Sequence, residues 1–97
     1  MIEEKNFRVA LGQFFVKETS EENQAITRDF IERAEKKGAA LLVLPEGIIA
    51  RKPGDKDWPR LHSEPLDGPF VTALLAATKG KRVTVVCTVQ AKIPGEE

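Results

Sequence analysis

The sequence has a single cysteine, Cys87, and so cannot close an internal disulfide. A cytoplasmic protein is expected from this, rather than a secreted one stapled by bridges. It has no charge of one sign in excess, with 15 acidic and 15 basic residues. No long-range field therefore draws it to nucleic acid or to an anionic membrane surface. It lacks any unbroken apolar stretch of membrane-spanning length. Its first apolar run follows Glu3 and Glu4 and is interrupted by Arg8 and Gln13, which is not the pattern of a signal peptide. Internal repeats and low-complexity segments are also missing. The one histidine, His62, has no second His, Cys or clustered carboxylate at ligand spacing, so no metal site is expected.

What is present is an ordinary globular composition, 41% hydrophobic, in 97 residues. That length suits one small domain or a piece of a larger one. Residues 7–16, FRVALGQFFV, read as a strand with apolar residues at both parities, the pattern of burial on both faces of a covered parallel sheet. A helix follows, with Thr19 and Glu22 at capping-box spacing and Ser20 as an alternative cap. Ile26, Thr27, Phe30, Ile31 and Ala34 share one helical face, while Arg28, Asp29, Glu32, Glu35 and Lys36 share the solvated one. Lys36 and Lys37 oppose the negative end of the dipole, and Gly38 suits the position just past the end. Residues 40–45, ALLVLP, give a second strand.

Residues 47–68 are irregular and rich in Pro and Gly, the composition of a functional or disordered loop. A second helix begins near Pro69, with Phe70, Val71, Leu74 and Leu75 on one face and Lys79 and Gly80 at its close. Residues 82–90, RVTVVCTVQ, form a third, β-branched strand. The order β-α-β-loop-α-β predicts an α/β fold of three parallel strands with helices on one face. The other face then shows Val and Leu that nothing within this sequence covers. The chain runs out at Pro94–Glu97 with no closing element, which leads us to expect a fragment.

The chemistry concentrates in residues 41–47, LLVLPEG. Ligands of an open parallel sheet bind beyond the carboxyl ends of its strands, which is where Glu46 falls. Pro45 stops the ladder and Gly47 lets the chain turn away, so a carboxylate is delivered to the rim of an apolar sheet. A solvated glutamate that merely ends a strand has the same local pattern. Arg51, Lys52 and Lys56 follow in the loop. Cys87 lies mid-strand in VVCTV and reads as a small buried hydrophobe. The turn after the first strand, KETSEEN, has no glycine, which counts against a nucleotide phosphate loop and a flavodoxin-like binder.

The runs RVALGQF, KKGAALLVLPEG and LDGPFVTALLAATKGKRVTVV, in this order and covering about 7–90, resemble the opening of the nitrilase superfamily of carbon–nitrogen hydrolases. Within it, PEGIIAR followed by a charged loop is most similar to the bacterial deaminated glutathione amidase-like branch. The resemblance implies that 1–97 is the N-terminal, incomplete part of a carbon–nitrogen hydrolase domain with an α-β-β-α sandwich. It also implies a Glu-Lys-Cys triad cleaving non-peptide amide bonds without metal or organic cofactor, a small-molecule amide substrate and homo-oligomerisation. Glu46 matches the family's general base, which takes the proton of a thiol as it attacks, and partial burial raising its pKa suits that task. Arg51 is a candidate partner for a substrate carboxylate; a solvated loop charge is its plainer reading. The family's Lys-His-Leu and Cys-aromatic-Asp motifs are absent, so the chain alone is expected to be inactive. The rival expectation is a non-catalytic small α/β module acting through a binding partner.

Overall fold

A computed structural model describes residues 7–92. Glu3 and Glu4, and the tail at 94–97, lie outside the described residues. The elements are β1 (Val9–Leu11), α1 (Ser20–Lys36), β2 (Leu41–Val43), α2 (Trp58–Leu61), α3 (Pro69–Thr78) and β3 (Thr84–Val86). The strands form one parallel sheet in the order β1-β2-β3. The fold is thus the expected α/β unit, with α1 and α3 packed on each other.

Helix α1 is bounded by its own side chains. Thr19 is the N-cap: its Oγ1 accepts from the Glu22 backbone N–H at 3.3 Å and donates to Glu22 Oε1 at 2.9 Å. At the other end Gly38, at φ 72°, closes a Schellman pair. Its N–H reaches Glu35 O, and that of Ala39 reaches Ala34 O. The chain is thereby aimed straight into β2.

The strands are shorter than the apolar runs 7–16 and 82–90. Pro45 explains this. It has no N–H, so the ladder of the central strand ends at Leu44, whose N–H still donates to Val86 O. Outer strands can pair only as far as the central one offers partners. Only one row of the sheet, Ala10–Leu42–Val85, faces the core made by Ile31, Ala34, Phe70 and Val83. The rows Val9–Leu41–Thr84 and Leu11–Val43–Val86 face away from it. Val9 and Leu11 are 47% and 67% exposed, so the first strand is buried on one face and not on both.

Two further expectations change. Glu35 does not belong to a solvated face. Its carboxylate accepts from the backbone N–H groups of Arg82 and Val83 at 3.1–3.2 Å and so ties α1 to the segment leading into β3. The irregular stretch 47–68 contains α2, and it begins with Ile48, Ile49 and Ala50, all buried in the core. It is a core element in sequence disguise. Among the described residues no helix is long and apolar enough to cross a membrane.

Candidate functional site

Glu46 stands at the carboxyl end of the central strand, directly after Pro45, and is exposed. The partial burial expected of it is not observed. The turn that presents it is built by its neighbour. Gly47 adopts φ 59°, and its N–H donates to both the backbone O and Oγ1 of Thr88 at 3.1 Å. The positive φ favours glycine at position 47, and a Cβ there would push the amide end of the Gln90 side chain aside. The rim turn is therefore clamped to the chain that leaves β3.

The other side of the rim is clamped by Asn23, on the first turns of α1 and fully buried. Its Oδ1 accepts from Lys17 N–H at 2.8 Å, and its Nδ2 donates to Lys17 O at 3.0 Å and Ile49 O at 2.9 Å. Arg51 N–H adds a bond to Lys17 O at 2.8 Å. The loop after β1 and the loop after β2 are thus one hydrogen-bonded body, with Glu46 at one end and Arg51 at the other. Both line an open cleft of about 530 Å³ with Phe14, Phe15 and Pro53, and both reach a second of about 330 Å³ beside Thr88 and Gln90. The ion pairs among the described residues are Arg33–Asp29 and Lys81–Glu32, so Glu46 and Arg51 share a cleft without pairing. A carboxylate free to take a proton and a guanidinium free to hold an anion face one volume.

The remaining candidates lie elsewhere. Cys87 packs against the core with Val85 and Val89 and lines neither cleft; burial pushes its thiol pKa up, the opposite of an activated nucleophile. No lysine lines either cleft. Lys52 instead lies over the Trp58 ring, 4.9 Å from its centroid. Trp58 stacks on His62 at 4.1 Å and donates its indole N–H to Glu18 O at 2.9 Å, which makes it a loop anchor. Gln13 is exposed. Among the described residues no group of three or more His, Cys, Asp or Glu is placed to hold a metal. Sequence reading missed Asn23, Thr88 and Gln90. Only the apolar triplet Ile48–Ile49–Ala50 gave a signal that the loop after Glu46 is anchored.

Fold and rim together define a parallel α/β unit with a carboxylate and a guanidinium on the cleft at the carboxyl end of its sheet. Over 81 residues the chain is 32% identical to the deaminated glutathione amidase of Escherichia coli O157:H7, a carbon–nitrogen hydrolase. That match covers 84% of this chain and 31% of the relative, so the chain spans about a third of the length of the curated protein it matches. No family model matches the chain.

Proposed function

We propose that this chain supplies the general-base rim of a carbon–nitrogen hydrolase of the nitrilase type, acting on non-peptide amide bonds. One observation carries the reading. Within a stretch similar to an amidase, Glu46 ends the central parallel strand as an unpaired carboxylate on a cleft. Glu46 is the base that removes a proton from an attacking thiol, and Arg51, on the same cleft, holds a carboxylate of the substrate. The substrate class is an amide that also carries a carboxylate, as deaminated glutathione does. Neither the thiol nor a charge-stabilising lysine is on this rim, so the 97-residue chain alone turns over no amide.

A chimera tests this. Residues 7–92 replace the matching segment of the E. coli amidase, and hydrolysis of deaminated glutathione is followed. The chimera is expected to be active, to lose activity at least about a hundredfold with Glu46→Gln, and to show a raised KM with little change in kcat for Arg51→Ala. Activity that survives Glu46→Gln refutes the role of Glu46. Turnover by the isolated chain, abolished by Glu46→Gln, refutes its inactivity.

A second reading has one observation in its favour. The described residues form a core between the sheet and helices α1 and α3, and the one thiol, on Cys87, packs against that core away from the rim. Such a unit suits a non-catalytic module that acts through a binding partner.

A further inference from the structure

A third pocket, of about 440 Å³, opens beside the two clefts. It shares Arg51 and Pro53 with the larger cleft and Arg51 and Pro59 with the smaller. Glu46 lines both clefts but not this pocket, which therefore lies beyond Arg51 as seen from Glu46. Its walls carry three cations, Arg51, Lys52 and Lys56, against one carboxylate, Asp55. The ion pairs among the described residues involve none of them. Asp55 is engaged in its own turn, where Oδ1 accepts from Asp57 N–H at 3.1 Å. The backbone that carries these cations is built. Asp55 N–H donates to Lys52 O at 3.0 Å across Pro53 and Gly54, and Gly54 has the positive φ, 82°, that the third position of a type II turn requires. Trp58 N–H donates to Asp55 O at 3.3 Å, and the Lys52 ammonium lies 4.9 Å from the Trp58 ring centroid. The Trp58 indole is itself fixed on Glu18 O.

We infer that this pocket is a second anion site, which takes an acid group of the substrate lying farther from the scissile amide than the carboxylate on Arg51. The substrate class narrows accordingly, from amides with one carboxylate to amides with two anionic groups. The inference rests on Arg51 as the partner of the first carboxylate. Charge is the reason for the second. Cations around one concave surface repel one another and focus their field on whatever enters it. A single carboxylate on Arg51 leaves Lys52 and Lys56 unanswered, whereas a second one beyond it meets both. Geometry is the other reason. A run of charges on a loose loop would have to be ordered at the moment of binding, but the Lys52–Asp55 turn and its Trp58 anchor present these two ammonium groups already placed. A neutral or basic group in the same place gains nothing and meets the same field, so the pocket discriminates by charge. Lys52 and Lys56 are exposed, so the preference is modest and falls with added salt.

Two amides of the same shape test this, N-acetylglutamate with two carboxylates and N-acetylglutamine with one. Each is titrated at low salt into the full 97-residue chain, and backbone amide shifts are followed by nuclear magnetic resonance. N-acetylglutamate is expected to bind about fivefold more tightly, with shifts at Lys52, Gly54, Asp55 and Lys56 that saturate together with that of Arg51. Lys56→Gln should remove most of the preference and leave the affinity for N-acetylglutamine within about twofold. Lys52→Gln, at a second exposed position, should act in the same way. Equal affinity for the two amides overturns the inference, as does a preference that survives both lysine substitutions or one without shifts at 52–56. Failure of N-acetylglutamate to saturate any of these shifts overturns it as well. Binding is read here without turnover, so failure of Glu46 as the base and failure of this site give different results.

Discussion

Removing the carboxamide of Asn23 should uncouple the two loops that carry the rim. The side chain is fully buried and makes three hydrogen bonds, one accepted from Lys17 N–H and two donated, to Lys17 O and Ile49 O. A net hydrogen bond is worth about 1 kcal/mol, and an unmet buried partner costs somewhat more. Lys17 is exposed and water can replace part of what its backbone loses, whereas Ile49 O is buried. Asn23→Ala should therefore destabilise by about 2–3 kcal/mol, which lowers a urea midpoint by roughly 2 M for a protein of this size. Hydrogen exchange localises the effect: the amides of Lys17 and Arg51 should lose protection first, before those of β2. Asn23→Asp is the sharper variant. It keeps the acceptor for Lys17 N–H but sets a carboxylate against two carbonyl oxygens. Its folded pKa is then raised, so the carboxyl's contribution is intact below the unfolded value of about 3.9 and is lost as pH rises above it. The deficit relative to wild type should thus shrink on acidification. Both variants lying within about 0.5 kcal/mol of wild type, with Arg51 still protected, would refute the claim that Asn23 ties the rim together.

Gly47→Ala should cost about 2 kcal/mol, part from an L-residue at φ 59° and part from the contact of its Cβ with Gln90. Adding Gln90→Ala should recover the steric part and not the backbone part, so a double-mutant cycle by urea melts should show positive coupling. Additivity of the two changes would show that the Gln90 amide swings aside without cost, leaving the whole penalty to the backbone. Cys87 should react slowly with a thiol reagent at neutral pH, at a rate far below that of a free thiol. Its pKa is raised by burial, so its contribution to stability is complete below the ordinary thiol value of 9.0 and falls as pH rises above it. Cys87→Ser should remove that part of the alkaline fall, and an unchanged profile would show that Cys87 does not contribute to it.

The elements legible in the sequence are those whose signals are local. Thr19, Glu22 and Gly38 bound α1 within three or four residues of the groups they satisfy, and Pro69 opens α3 in the same way. Strand lengths were not legible, because the limit on the outer strands is set by Pro45 on the central one, a constraint visible only once register is known. Glu46 could be placed at a strand end from Leu-Pro-Glu-Gly alone, but the devices that hold it could not. Asn23 lies 26 residues from Ile49, and Thr88 lies 41 from Gly47. In sequence each is an unremarked polar residue, one on a helix and one past a strand. Polar side chains give no periodic signal of burial, whereas Ile48–Ile49–Ala50 gave one that was outweighed by the prolines and glycines around it. The same asymmetry governs the bare face. Alternation cannot separate a strand buried twice from one buried once when both parities are apolar, and it is the position of α1 and α3 on a single side that decides between them. Apolar residues of the other parity, Val9, Leu11 and Val86 among them, are left at the surface by that choice, which is why a strand that reads as buried twice is buried once.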